Sequence, residues 1–229
     1  MWKFIIDRVK QNVMALTPLG VLFFAIAGKI TILGFWIYVV TVLVYQFVSL
    51  VIIVPKYPEY IELANIRKIK RTDAKPWDSV VILVVLVTNL LMYGLAAWDV
   101  GRVQISLLPW WSVLVGVILY IAGTVMNQWA MIHNTHFEKE VRIQADRKHQ
   151  VVESGPYQYI RHPGYFGSML GFISFSLILG SGIAVIGSVL CMVGMIVRTY
   201  LEDKTLRQEL AGYEEYAKKV RSRLIPYVW

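Results

Sequence analysis

The sequence predicts an all-α fold: a polytopic integral membrane protein of about six transmembrane helices, the last two a short helical hairpin. Three observations carry that prediction. Of 229 residues, 57% are hydrophobic and 17% charged, and the mean hydropathy is +0.55, whereas about a quarter of a soluble domain is charged. Six apolar runs come close to the roughly 20 residues that a helix needs to cross the hydrocarbon core. All but Lys29 and Arg102 of the 23 Lys and Arg residues fall on alternate loops and the two ends, the bias expected of segments retained on the cytoplasmic side.

The runs are, in order, 12–28, 33–54, 78–97, 110–132, 165–180 and 183–201. The first follows the amphipathic "MWKFIIDRVKQNV", which lacks a cleavable small-residue site, so the first span is expected to serve as the insertion signal. Residues 55–77 contain "EYIELANIRKIKR", with Leu and Ile on one side, and read as a surface helix. Trp36, Trp77, Trp98, Trp110 and Trp111 lie near span ends, where their rings prefer the interface. The fifth and sixth runs are split only by "GSG" at 180–182, and "GSMLG" at 167–171 and "GSGIAVIG" at 180–187 suggest close helix packing. The chain reads as one membrane domain, 1–229. Spans fill residues 1–132, and the half from 133 to 229 holds the segments able to carry chemistry.

Composition excludes several classes. The single cysteine, Cys191, lies in an apolar run, so neither a disulfide framework nor a thiolate metal site is available. His133 and His136 are three apart without a further ligand at a metal-site spacing, so no metal is expected. A net charge of +8 hugs span ends and matches anionic membrane lipids rather than nucleic acid.

Two polar segments remain. In "SGPYQYIRHPGYFG", 154–167, Pro156 and Pro163 each remove a backbone donor and push Gly155 and His162 toward extended conformations. Kinked backbone at a membrane edge needs protein or water partners. The start of the fifth span there offers free N–H groups to an anion, and the Arg161 guanidinium can grip a carboxylate. In the tail, Arg198 sits at the membrane boundary with Glu202 four residues on, sharing a helical face. Either this is an intrahelical ion pair or a polar pocket in which the acid meets a cation or sugar hydroxyls.

In order, "VRIQADRKHQVVESGPYQYIRHPGYFG" and "RTYLEDKTLRQELAGYEEYAKKVRSRLIP" closely resemble the isoprenylcysteine carboxyl methyltransferase family and its phospholipid methyltransferase relatives. The resemblance covers about the last 100 residues. Upstream, "PEYIELANIR" and "KPWD" more loosely resemble the prokaryotic branch. It implies a membrane-embedded, S-adenosylmethionine-dependent methyltransferase, with a cofactor-binding loop and a cytoplasmic C-terminal helix, in a prokaryotic cytoplasmic membrane with the site facing the cytoplasm. A lipophilic acceptor would enter between helices and react by in-line displacement. Carried over by that resemblance, cofactor contacts fall on His149, Val151, Val152, Gly155, Tyr157, Arg161, His162, Pro163, Tyr165 and Glu202. Arg198 or Arg161 would help hold the cofactor carboxylate, and Arg221 and Arg223 would place the acceptor group, so that Arg198, Arg221 and Arg223 are the candidate catalytic residues. A phosphatidylethanolamine-type N-methyltransferase is the alternative and an NADPH-dependent membrane reductase the remoter one. The oligomeric state is left open.

Overall fold

A computed structural model describes residues 2–57 and 74–229. The surface helix expected within 55–77 lies largely outside the described residues. The chain forms α1 (Trp2–Ala27), α2 (Leu33–Lys56), α3 (Pro76–Trp98), α4 (Trp111–His133), α5 (Pro163–Leu179), α6 (Gly182–Glu209) and α7 (Tyr213–Lys219). Five of these, α1, α2, α3, α4 and α6, are long and apolar enough to cross a membrane, and α5 is a shorter apolar helix. No strand is present among the described residues. The outward faces carry exposed Val21, Leu33, Val44, Val80, Leu114 and Ile186, the surface that hydrocarbon would cover.

Small side chains set the closest contacts. The buried face of α4 is Ser112, Gly116, Gly123 and Ala130, the last three spaced by seven, so one stripe stays against α5. There a Cβ on Gly123 would lie 2.6 Å from the Gly167 carbonyl oxygen, and one on Gly167 2.5 Å from that of Gly123. Of the two glycines in "GSMLG", Gly167 makes the crossing, while a Cβ on Gly171 would meet nothing within 4 Å. Gly187 and Gly194 do the same for α6, where an added Cβ would meet Met92 at 2.8 Å and Val85 at 2.6 Å.

At one end the helices are joined by a polar knot. Gly180, at φ +73°, ends α5, and Ser181 begins α6 by accepting the Ala184 N–H at 3.3 Å and donating to Asp99 at 2.6 Å. Asp99, fully buried in the π-helical turn that ends α3, also accepts from Ser106 and from the Ile105 N–H. Arg102 donates to the Ile26 carbonyl at the end of α1, at 2.5 Å, a cation at a helix C-terminus. The aromatic core of Phe23, Phe35, Met92 and Phe175 sits just inside this end.

The opposite end collects everything else that is polar. Helix α6, with 28 residues, is about 42 Å long against a hydrocarbon core of about 30 Å, so its last turns project past the apolar layer. The tail does not continue it as one helix. Gly212, at φ +82°, breaks the chain before α7.

Candidate active site

The floor of the polar end is built by residues 134–162, which fold back over α3 and α4 as irregular chain. Lys75 N–H donates to the Val141 carbonyl at 2.9 Å, and Val141 N–H to Asp78 Oδ2 at 2.7 Å, stitching this segment to the start of α3. Arg142 pairs with Glu138 at 2.7 Å and Asp146 at 2.8 Å. Buried Gln144 donates to the His136 carbonyl at 2.6 Å. These bonds satisfy backbone that could not otherwise leave the helical state at a membrane edge.

Next comes the turn Gly155–Gln158. Gly155 is not extended as expected: it takes φ +60°. The following proline excludes the right-handed helical region, and glycine escapes to the left-handed side at little cost. The His133 ring lies where a Cβ would sit, 2.5 Å away, so a side chain here would displace it. Tyr157 is buried; its hydroxyl accepts from Asn134 at 3.1 Å and its carbonyl accepts the Tyr216 hydroxyl at 2.7 Å.

The Arg161-His162-Pro163 segment is clasped by the C-terminal tail. Arg161 N–H donates to the Ser222 carbonyl at 3.0 Å and His162 N–H to that of Arg223 at 2.9 Å. Beneath them the Asp203 carboxylate, 1% exposed, accepts from Arg161 twice, at 2.7 and 3.0 Å, from Arg223 at 3.0 Å and from the Tyr213 hydroxyl at 3.1 Å. Burial first, and the Asp203 charge second, push the Tyr213 phenol well up, so it stays a donor. The Arg161 guanidinium also donates to the carbonyls of Val220 and Arg221. Arg161 is thus tied to protein partners along most of its donor edge.

Between these layers lies a cavity of about 420 Å³, within the size range that holds small ligands. His149, Val151, Val152, Tyr157, Arg161, His162, Pro163, Tyr165, Arg198 and Glu202 line it together, although all of α5 and most of α6 separate the first from the last in sequence. Tyr165 donates its hydroxyl to Glu202. The Arg198 guanidinium lies 5.0 Å from the centre of the Tyr165 ring, and the Tyr165 ring is parallel to that of His162. Arg198 pairs not with Glu202 but across to Asp78, at 2.8 and 3.1 Å, and with the Lys139 carbonyl at 2.5 Å. Burial, then neighbouring His136 and Arg142, hold the His149 imidazole down at about 4, so it is neutral near pH 7.

Three of the expected residues lie outside the lining. Gly155 packs on His133. Arg223 is held by Asp203 and covers the Trp229 ring at 4.8 Å, and Arg221 contributes its carbonyl to Arg161. Sequence reasoning missed Asp78 and Asp203, whose partners lie far along the chain, together with Tyr213 and Tyr216 in the cavity wall. A signal existed for each in the quoted motifs, since Asp78 is the acid of "KPWD" and Asp203 follows Glu202. The expected helix N-terminus offers little to an anion: Pro163 has no N–H, and Tyr165 and Phe166 N–H both donate to the His162 carbonyl.

A second, apolar groove of about 270 Å³ runs between α3 and α6, lined by Ile82, Val85, Leu86, Asn89, Phe172, Met195 and Arg198. It meets the cavity at Ile82, Phe172, Met195 and Arg198. Arg198 therefore stands where a chamber of mixed polarity opens onto a hydrocarbon-lined one.

Residues 115–208 match the sequence profile of the isoprenylcysteine carboxyl methyltransferase family. A rice (Oryza sativa subsp. indica) sequence named a probable protein-S-isoprenylcysteine O-methyltransferase is 26% identical over 122 residues, 52% of this chain and 63% of the relative. The Xenopus laevis protein-S-isoprenylcysteine O-methyltransferase is 27% identical over 62% of this chain and 53% of its own length. The chain thus spans less than two thirds of the curated relatives it matches. The solved eukaryotic intramembrane Ras methyltransferase superposes over 92% of this chain and 73% of its own, with a TM-score of 0.52 at 18% identity. That likeness fixes the membrane fold.

Proposed function

We propose, from the premise that residues 115–208 belong to the isoprenylcysteine carboxyl methyltransferase family, that this chain is a membrane methyltransferase. It takes S-adenosylmethionine as donor and a lipophilic acceptor with a carboxylate head. The observation that carries the reading is the junction at Arg198, where a cavity of mixed polarity and the apolar groove share one wall. A donor of mixed polarity and an acceptor of mostly hydrocarbon need two such chambers meeting at one point.

The residues fit the donor. Glu202 supplies a carboxylate for hydroxyl or amino groups, and the Tyr157 ring suits a sulfonium, a good contact being worth about 0.5–2 kcal/mol. Neutral His149 and the apolar Val151 and Val152 suit a heteroaromatic ring. When bound, S-adenosylmethionine supplies the electrophilic methyl group. The protein aligns the acceptor with it and keeps water away, which contributes roughly 7–11 kcal/mol in well-oriented reactions. Arg198 Nη1 takes part in none of the bonds to Asp78 and Lys139, leaving a donor edge for a carboxylate. A carboxylate needs no base to become a nucleophile, whereas an amine must lose a proton. The cation at the junction therefore favours an ester-forming reaction over N-methylation.

The distribution of Lys and Arg supports a site facing the cytoplasm, and the resemblance of "PEYIELANIR" and "KPWD" supports a prokaryotic membrane. The test is to incubate purified protein with methyl-labelled S-adenosylmethionine and a total lipid extract. The reading expects a labelled lipid whose methyl group mild alkali releases. An alkali-stable label means N-methylation, and no labelled lipid contradicts the reading.

A further inference from the structure

Threonines in the spans satisfy their own hydroxyls. Thr41, Thr88 and Thr124 each bond to the carbonyl one turn back, at 2.7 to 2.8 Å. The amides follow suit in α4, where Asn127 donates to the Gly123 carbonyl and Gln128 engages Tyr45 and Ser49. Gln46 in α2 and, on the groove, Asn89 near the middle of α3 break the pattern. Asn89 makes no hydrogen bond among the described residues, yet it lines the groove at half-buried depth.

The helical repeat puts Ile82, Val85, Leu86 and Asn89 on one face of α3, with Phe172 and Met195 opposite. The groove therefore presents hydrocarbon along its length, a guanidinium at the mouth and one amide at the inner end. An amide at bilayer depth without a partner is costly, and such residues mark ligand paths. A plain hydrocarbon chain lying there would leave both its donor and its acceptor unmet.

We infer that Asn89 is a specificity residue, selecting an acceptor whose lipid chain carries a hydrogen-bonding oxygen partway along, rather than an unbroken hydrocarbon chain. This rests on the reading of the groove as the acceptor chamber. The position of the oxygen follows from the helix. Asp78, which holds Arg198, and Asn89 lie on the same element and are separated by roughly 16 Å of helical rise. With its carboxylate on Arg198, an extended acyl chain of stearate length reaches Asn89 about two thirds of the way along. A hydroxyl, carbonyl or ether oxygen there shares the needed chemistry.

The test uses the full chain in nanodiscs and two probes, stearate and 12-hydroxystearate, whose hydroxyl lies beyond the middle of the chain. Each is titrated calorimetrically into wild-type protein, Asn89→Leu and Asn89→Ala in the presence of S-adenosylhomocysteine. Wild type is expected to prefer the hydroxylated probe by about 5- to 30-fold, the range for one hydrogen bond in a dry site. Both variants are expected to lose that ratio while binding stearate at least as well as before. An unchanged ratio in the variants, or equal or absent binding of the two probes by wild type, overturns the inference. Titration of S-adenosylhomocysteine alone separates the two levels. Its failure to bind wild type defeats the methyltransferase reading, while the probe ratio still decides the role of Asn89.

Discussion

Arg198 and Asp78, 120 positions apart, meet in a two-pronged ion pair at 2.8 and 3.1 Å, with the Asp78 side chain fully buried and that of Arg198 12% exposed. The pair joins the third helix to the sixth and, through the Val141 N–H, to the polar segment between them. Removing one partner strands the other charge. Asp78→Ala should therefore destabilise the protein by about 3–5 kcal/mol, measured by denaturant unfolding in detergent. The double variant Asp78→Leu with Arg198→Met should regain most of that stability without regaining methyl transfer, because the charge needed at the junction is gone.

Glu202 and Tyr165 are hydrogen-bonded to each other in the cavity wall. Tyr165→Phe keeps the ring and loses the hydroxyl, so S-adenosylhomocysteine affinity should fall about 3- to 10-fold, the effect of one net hydrogen bond. Glu202→Gln removes the charge and turns one acceptor oxygen into an amide donor, and the fall should reach about 30-fold or more. Calorimetric titration of the two variants checks the order.

Asp203 fastens the tail to the Arg161 segment. Asp203→Asn should leave three arginines without their shared counter-charge, destabilise by about 3–5 kcal/mol and open residues 220–229 to protease. The same fraying should weaken cofactor binding, since Arg161 and Tyr213 line the cavity.

Much of this architecture was legible in the sequence, because bilayer thickness forces long apolar runs and the runs leave only two places for polar chemistry. The hairpin at Gly180-Ser181 and the break at Pro163 are read directly from residue types with fixed backbone preferences. What the sequence concealed were pairings across the bundle. Arg161 looked available for a ligand carboxylate, yet Asp203, 42 positions on, occupies it. Arg223 looked poised for the acceptor, yet the same carboxylate draws it away. No local spacing reveals such partners, and only the crossing of α3 with α6 makes Arg198 the cation at the chamber mouth.

The neutral imidazole of His149 gives a pH dependence with a definite sign. Its folded value of about 4 lies below the ordinary value of about 6.5, so between these the unfolded chain binds more protons and stability rises with pH. The contribution is complete above pH 6.5 and lost as pH falls toward 4. Partial exposure reduces it to about 1–2 kcal/mol. His149→Asn should flatten the melting temperature across this window relative to wild type.

At the crossing of the fourth and fifth helices, Gly167→Val would drive a side chain into the Gly123 carbonyl. Overpacking of this kind costs about 1–3 kcal/mol, while Gly171→Val, facing open space, should cost little. Thermal unfolding of the two variants compares them.

The central claim is that the cavity between the proline-kinked segment and the end of α6 holds a methyl donor. Calorimetric titration of purified protein with S-adenosylhomocysteine, with NADPH in a parallel cell, tests it most directly. The account predicts saturable one-to-one binding of S-adenosylhomocysteine, lost in Glu202→Gln, and no heat from NADPH. Binding of NADPH alone, or S-adenosylhomocysteine binding that ignores Glu202, would contradict it.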